Sequence, residues 1–327
     1  MKKRGVGIAA GLYPTGLMGG GDPSQAMVKI KPDGSADLII GSTDLGQGCK
    51  TVLCQMAAEE LGISYDQINV LNADTDAGPL CLGSFASRVT LIAGNAVVGA
   101  AREAKGILFE SAAKELEASA QDLVAAEGKI YVIGSPDKSV TIADLAGKSP
   151  LIVGRGTYAP APAAPDPKTG AWNAFHTLAW GAVLAEVEVD TETGEVELLR
   201  LVCAYDAGKA INPQLVEGQI EGGAGMGQGQ AMMEQWQPYY PSLDWQPTTL
   251  RDYTIPTAMD VPDIDSVIYE CPSADGPYGA KGIGEITANV PTPAIASAIN
   301  NAIGVWINEI PVTPEKILRA LEEKAKP

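Results

Sequence analysis

The 327-residue sequence is poor in the side chains that most often bind metals or act as catalytic bases. It has one histidine and five cysteines, and the cysteines form no Cys-x-x-Cys pair. Neither a disulfide framework nor a zinc or iron–sulfur site formed by protein ligands is therefore predicted. The single histidine, His176, lies among aromatic residues, which favours a structural role over a place in a catalytic triad.

Long apolar runs are also missing. No stretch has the length of a signal-peptide core or of a membrane-spanning helix, so we expect a cytoplasmic protein. The formal net charge of −17, from 40 acidic and 23 basic residues, opposes binding to nucleic acid or to anionic membranes. Glycine is abundant instead, with 37 residues that cluster in a few segments.

Periodic apolar patterns predict both strands and helices. Alternating residues around Asp- and Gly-containing turns indicate hairpins at residues 27–40 and 183–202. Helical spacing indicates helices at 52–61 and 93–118, and a C-terminal helix capped by Thr313. Strands and helices do not alternate regularly, which predicts an α+β fold with mixed sheets and packed helices.

A Pro- and Ala-rich segment indicates the domain organisation. Residues 159–170 are typical of a semi-rigid connector, because proline removes backbone donors and favours extended conformations. We therefore predict a first half at residues 1–158 and a second half at 171–327.

Four glycine-rich segments are candidates for a ligand site, at residues 41–48, 83–88, 217–229 and 279–285. Glycine lets the backbone approach a ligand closely, and a following helix N-terminus offers N–H groups to an anion. The hydroxyls and guanidinium of Ser84, Ser87 and Arg88 suit a phosphate. Each segment alone is also compatible with a tight turn. The absence of a GxxxxGK[ST] motif disfavours another class of enzyme, the P-loop nucleotide-binding proteins.

Glu285 ends the last of these segments. Turn geometry gives no reason for an acidic residue there. A carboxylate on such a loop, with its pKa raised by burial, can serve as a general base.

Taken in order, these segments resemble the xanthine dehydrogenase/aldehyde oxidase family of molybdenum hydroxylases. Residues 44–48 resemble the Gly-Gln-Gly loop against the pterin, and 83–88 resemble the loop at the phosphate end of the cofactor. Residues 206–223 resemble another block of the family, and 279–285 resemble the segment with the active-site glutamate. The resemblance extends from about Gly21 to the end of the chain and implies two related halves that bind molybdopterin.

The resemblance also implies residue roles. Glu285 is expected to act as the catalytic general base, Gln47 and Gln228 to contact the pterin or the metal's oxo ligand, and Phe85 to face the substrate. The expected cofactor-binding residues are Gly46, Gln47, Gly48, Ser84, Ser87, Arg88, Gln228, Lys281, Gly282 and Gly284. The pterin dithiolene holds the metal in this family, so no protein metal ligand is expected.

The implied reaction is hydroxylation of a carbon in an N-heterocycle, such as nicotinate or a purine, with oxygen derived from water. The implied cofactor is molybdenum–molybdopterin cytosine dinucleotide with a terminal sulfido or selenido ligand. Complete molybdopterin-binding subunits of the family are longer, so a larger molybdopterin-binding partner is expected, with a [2Fe–2S] subunit and an FAD subunit. Bacterial nicotinate dehydrogenases resemble this divided arrangement. The alternatives are an aldehyde-oxidising member and a non-catalytic scaffolding subunit.

Overall fold

A computed structural model of the chain describes residues 1–149, 151–235 and 247–326. Its strands are β1 (Lys2–Pro14), β2 (Ser24–Ile30), β3 (Ala36–Ile40), β4 (Ile68–Leu71), β5 (Leu123–Ala126), β6 (Lys129–Val132), β7 (Ser135–Thr141), β8 (Ile152–Tyr158), β9 (Leu178–Asp190), β10 (Val196–Asp206) and β11 (Asp263–Tyr269). Its α-helices are α1 (Cys49–Leu61), α2 (Gly94–Glu115), α3 (Ile142–Lys148), α4 (Pro213–Met232), α5 (Ile286–Asn289), α6 (Pro291–Ile303) and α7 (Pro314–Ala325).

The first lobe is built on a four-stranded sheet in the order β4-β3-β2-β8, with a small meander of β5, β6 and β7 beside it. Helix α2 packs against β8 and β2, and α1 packs against α2. The close approach of α2 depends on glycine in β8, because a Cβ atom on Gly156 would lie only 1.8 Å from the carbonyl oxygen of Ala96. The lobe encloses one apolar core.

The second lobe is built on a sheet in the order β1-β9-β10-β11, in which only β10 and β11 run parallel. Helix α6 covers β1 and β9 on one face of this sheet. Glycine again permits the contact, since a Cβ atom on Gly5 would lie 2.1 Å from the carbonyl oxygen of Ala298. A second apolar core fills the space between this sheet and helices α4 to α7.

The predicted α+β class is confirmed, and so are the elements with clear periodicity. The two predicted hairpins are β2–β3 and β9–β10. Gly62 ends α1 in a left-handed conformation, and the Thr313 side chain accepts the backbone N–H of Lys316 at the start of α7. The predicted helix at 93–118 begins one turn earlier, with a π-helical turn at Val89–Ala93.

Strand β1 was assigned to the wrong half by sequence. The predicted boundaries place it with residues 1–158, yet its whole length pairs with β9 in the sheet of the second lobe. The connector at 159–170 contains neither helix nor strand. Residues 236–246 of the predicted second half lie outside the described residues.

The structure also bears on disulfide bonds and on membrane-spanning helices. The five cysteines form no disulfide bond. Among the residues that the structure describes, no helix is both long and apolar enough to cross a bilayer.

Candidate functional site between the two lobes

A cavity of about 630 Å³ lies where the two lobes meet. The loops that precede α1 and the π-helical turn line it from the first lobe, and α4 with residues 280–289 lines it from the second. Its volume is in the range of small-molecule and cofactor sites, roughly 300–1,000 Å³. Residues of all four glycine-rich segments therefore line the cavity, and the segment at 217–229 does so with one face of α4.

The loop before α1 is held by Asp44. Its carboxylate accepts the backbone N–H groups of Gly46 at 2.9 Å, Gly48 at 3.4 Å and Lys50 at 3.1 Å. Burial acts to raise the pKa of Asp44, but the N–H groups of Lys50, Gly46 and Gly48 outweigh it and lower that pKa below its usual value. The loop is thus fixed by a charged acceptor before any ligand binds.

Gln47 lies on the cavity wall, where it was predicted. Its Oε1 accepts the N–H of Leu45 at 2.5 Å, and its Nε2 donates to the carbonyl oxygen of Thr43 at 3.1 Å. The Ser84 hydroxyl donates to the same carbonyl oxygen at 2.6 Å. Thr43 therefore ties the loop before α1 to residues 83–88.

Ser87 joins residues 83–88 to residues 279–285, called here the glutamate loop because they end in Glu285. Its hydroxyl donates to the Glu285 carboxylate and accepts the N–H groups of Gly284 at 3.1 Å and Glu285 at 3.3 Å. A Cβ atom on Gly282 would lie 1.7 Å from the Ser87 carbonyl oxygen, so only glycine permits this approach. Glu285 is half-buried on the cavity wall, at the start of α5. Four of the predicted site residues thus form one contact.

Arg88 forms several hydrogen bonds within the protein. Its side chain is fully buried, and Nε donates to the Asp22 carboxylate at 2.9 Å. The Nη groups donate to the carbonyl oxygens of Gly83 and Pro23, each at 3.0 Å, and to the Ser24 hydroxyl at 3.0 Å. The guanidinium is thus bound by protein acceptors, although Arg88 is among the residues that line the cavity. These bonds position the loop, and the phosphate contact of Arg88 stays a prediction.

The Lys281 side chain is likewise turned into the protein. Its Nζ donates to the Asp206 carboxylate at 2.6 Å and to the Leu178 carbonyl oxygen at 3.1 Å. Only 10% of the side chain is exposed. The ammonium group therefore anchors the glutamate loop to the ends of β9 and β10. Lys281 also lines the cavity, and its direct contact with the cofactor stays a prediction.

Gln228 is buried outside the cavity wall. Its Nε2 donates to the carbonyl oxygen of Asp260 at 2.6 Å. The residues of α4 that do face the cavity share one side of the helix: Leu215, Val216, Gln219, Gly222, Gly223, Met226 and Gln230. At 3.6 residues per turn, Gln228 lies about half a turn away from Gln219. The prediction that Gln228 faces the cofactor is therefore wrong.

The remaining predicted residues are found at or beside the cavity. Phe85 and Ser84 line it, and 38% of Phe85 is exposed. Gly46 and Gly48 belong to the neighbouring loop, both with left-handed φ angles. Gly48 is in close contact with Leu215, since a Cβ atom there would lie 2.8 Å from that side chain. The substrate contact of Phe85 stays a prediction.

Sequence reasoning missed several residues that shape the site. Asp44 and Asp22 are loop-fixing carboxylates, and no local pattern distinguishes them from surface acids. Gln219 and Gln230 on α4 could have been predicted, because their spacing from Met226 places all three residues on one face of a helix. His176 Nε2 donates to the carbonyl oxygen of Ala161 in the connector at 2.9 Å, which agrees with a structural role.

Known proteins share the fold that carries this site. A family model, the molybdopterin cofactor-binding domain, matches residues 1–262. The chain belongs to this family. The resemblance predicted from the glycine-rich segments is thereby confirmed.

Relatives of this family member are similar along almost its whole length. It is 35% identical to the 6-hydroxypseudooxynicotine dehydrogenase complex subunit gamma of Paenarthrobacter nicotinovorans, over 97% of this chain and 39% of that protein. It is 32% identical to the xanthine dehydrogenase molybdenum-binding subunit of Escherichia coli O157:H7, over 96% and 42% respectively. The crystal structure of quinoline 2-oxidoreductase from Pseudomonas putida 86 matches with a TM-score of 0.86 and 30% identity, over 98% and 42%. The chain thus spans about two fifths of the length of these relatives.

The cavity fits a molybdopterin. Gly222 on α4 lines it, and a Cβ atom there would meet no protein atom within 4 Å, so the backbone surface is open to a ligand. The amides of Gln47, Asn212 and Gln219 supply hydrogen-bonding groups. Among the described residues, no cluster of three His, Cys, Asp or Glu side chains is suited to hold a metal.

Proposed function

We propose that this chain is part of the molybdopterin-binding subunit of a multi-subunit molybdenum hydroxylase. The observation that carries the proposal is the position of Glu285, half-buried on the wall of the inter-lobe cavity and hydrogen-bonded to Ser87. A carboxylate held in this way, beside a cavity that fits the cofactor, is the arrangement that general base catalysis requires.

The cofactor would be held by the two lobes together. The loop at 44–48 and the Ser84 hydroxyl would contact it from the first lobe, and Gln219 with Gly222 would contact it from α4. When bound, the molybdenum centre supplies a two-electron acceptor and a source of water-derived oxygen. We propose the cytosine dinucleotide form, with a terminal sulfido or selenido ligand.

Glu285 would accept a proton in this reaction. The Ser87 hydroxyl donates a hydrogen bond to its carboxylate and so fixes its direction toward the cavity. Backbone N–H groups of the same loop bond the Ser87 oxygen in turn. Because Gly282 brings the Ser87 backbone against the glutamate loop, the position of the base is set by both lobes.

The proposed substrate is a small N-heterocycle. The names of the relatives include xanthine dehydrogenase and quinoline 2-oxidoreductase, and both compounds have a ring nitrogen. The exposed ring of Phe85 on the cavity wall suits a flat aromatic substrate. The substrate would be oxidised by hydroxylation at a ring carbon.

The reaction would need further chains. Since this chain spans about two fifths of its relatives, we propose that a larger molybdopterin-binding subunit supplies the rest of the cofactor and substrate site. An iron–sulfur subunit with [2Fe–2S] clusters and an FAD subunit would carry the electrons away.

Replacing the proposed base tests its role. In the complex isolated through this chain from its native host, Glu285→Gln should leave subunit composition and molybdenum content unchanged. It should lower kcat by a factor of about 10² or more, because the amide cannot accept the proton. Glu221→Gln, at an exposed position of α4, is the control and should leave turnover unchanged. Near-normal turnover of the Glu285 variant would remove this residue from the mechanism.

The wild-type complex tests the cofactor itself. Metal analysis should find about one molybdenum per copy of the chain, as expected if the inter-lobe cavity holds one cofactor. An intact and stable complex without molybdenum would favour the scaffolding alternative.

A further inference from the structure

One face of the second-lobe sheet is apolar and exposed. In β1 the residues that face the core include Gly5 and Gly7, whereas the large apolar side chains point outward. Val6, Ile8 and Leu12 are 48%, 66% and 52% exposed. This is the reverse of the usual strand of a half-buried sheet, in which the apolar face is the inner one.

The same apolar character continues across the four strands. Residues that pair across strands point to the same side of a sheet. The pairing therefore places the following residues on one outer face, called here the outer sheet face: Val6, Ile8, Ala10, Leu12, Trp180, Ala182, Leu184, Val202, Ala204 and Val267. Trp180 and Val267 are 54% and 45% exposed.

Charged pairs border this face on one side. Glu188 accepts Lys2 at 2.8 Å and Arg4 at 3.1 Å, and Arg200 pairs with Asp265. An apolar centre with a charged rim is the usual anatomy of a protein–protein interface. A continuous exposed apolar patch of this kind also marks an interaction surface. The opposite face is covered by α6, whereas none of the elements given above forms a layer over the outer sheet face in the part of the chain that the structure describes.

We propose that the outer sheet face binds the second chain that carries the rest of the molybdopterin-binding subunit. This inference rests on the proposed function. The chain spans 39% and 42% of two relatives in which the whole subunit is one polypeptide. A sheet face that another layer covers in a longer subunit becomes an intermolecular surface when that layer is a separate chain.

A second copy of this chain is a poorer occupant. Each copy has a formal net charge of −17, and pairing two such copies face to face brings like charges together. Glu188 and Asp265 of the rim form ion pairs within the chain, and Glu186 and Asp263 lie on either side of Arg200 on the same face. The described part of the rim therefore presents more acidic groups to the acidic side chains of a second copy. A different chain need not have the same negative charge, so this repulsion does not apply to the larger partner.

Lysine substitutions test the surface. Ile8→Lys and Val267→Lys place a charge on the outer sheet face without changing the core, since both side chains are exposed. Leu151→Lys is the matched control, at an 80% exposed position of the first lobe. Each tagged variant is expressed in the native host, the co-purified chains are identified by mass spectrometry, and molybdenum is measured.

The expected result is that the wild type and Leu151→Lys co-purify a larger chain related to the missing part of the subunit. The two face variants should lose most of it and still unfold at the wild-type temperature. If both face variants retain that partner fully, the outer sheet face is not its binding surface, and the proposed function is unaffected. A wild-type chain that binds molybdenum alone, as a monomer or as a dimer of itself, also overturns it. A stable complex without molybdenum contradicts the proposed function instead.

Discussion

Arg88 and Asp22 form a fully buried ion pair, in which their charges are 2.9 Å apart. A buried ion pair adds little net stability against an apolar pair, but removal of one partner leaves an uncompensated charge in a medium of low dielectric constant. The loop at 83–88 and its Ser87 therefore depend on a residue 66 positions earlier.

Asp22→Asn should therefore destabilise the chain strongly. We expect a loss of about 3–5 kcal/mol in the free energy of unfolding, because the Arg88 guanidinium keeps its charge and loses its counter-ion. Urea denaturation followed by circular dichroism measures it. Asp265→Asn breaks the exposed pair with Arg200 and should cost far less. Equal losses in the two variants would contradict the importance of the buried pair.

The two lobes use the same device to pack a helix on a sheet. In each lobe an edge strand places two glycines against a helix with small residues: Gly154 and Gly156 of β8 against α2, and Gly5 and Gly7 of β1 against α6. The missing side chains let the backbones approach to van der Waals contact. A methyl group has no space there, because a Cβ atom on Gly7 would lie 2.2 Å from the backbone nitrogen of Ala298.

Gly7→Ala should push α6 away from β1. The expected cost is about 1–3 kcal/mol, the usual range for overpacking a rigid contact. Gly218→Ala is the matched control on α4, where a Cβ atom would meet nothing within 4 Å. It should stabilise the chain by up to about 1 kcal/mol through helix propensity. Thermal and urea unfolding separate the two effects, and a neutral Gly7→Ala would show that the contact is loose.

Sequence patterns predicted those elements whose core side is apolar. The β2–β3 and β9–β10 hairpins and helix α7 belong to this group. Strand β1 was missed because glycines occupy its core side and its apolar residues point outward, so that no inner apolar stripe marks its sheet. Its partner β9 is also far away in sequence.

For the site, the order of the loops was predictable and the direction of several side chains was not. Glu285 and Ser87 were predicted and meet. Arg88 and Lys281 turn inward to Asp22 and Asp206, which are distant in sequence. A motif gives the residue type on a loop, but the distant acceptor decides where a long cation points.

At the scale of the whole molecule, a cluster of polar side chains around Glu60 connects the two lobes. Glu60 on α1 accepts Lys105 at 2.5 Å and Arg102 at 3.3 Å from α2. It also accepts the Tyr278 hydroxyl at 3.0 Å, and Tyr278 belongs to the second lobe just before the glutamate loop. Burial acts to raise the pKa of Glu60, but Lys105, Arg102 and Tyr278 outweigh it and lower that pKa.

Acid should therefore weaken this connection. A carboxyl whose pKa is lower in the folded state gives its full stabilisation above its unfolded pKa, near 4.5, and loses it as the pH falls through the folded value. The stability difference between wild type and Glu60→Gln should be largest above the unfolded pKa of 4.5 and shrink as the pH falls below it. Urea denaturation at several pH values measures it. Glu115→Gln, which breaks the exposed pair with Lys148, is the control. A difference independent of pH would contradict the assignment.

The pairing of β1 with β9 also affects the order in which the chain folds during synthesis. At roughly 5–20 residues per second, β1 leaves the ribosome about ten to forty seconds before its partner strand. During that interval the strand has neither a neighbour nor a covering helix, while the first lobe at 24–158 can already close. The cavity needs loops from both lobes, so it forms last. Insertion of the cofactor must therefore follow the translation of α5, whose residues line the cavity, and cannot accompany the folding of the first lobe.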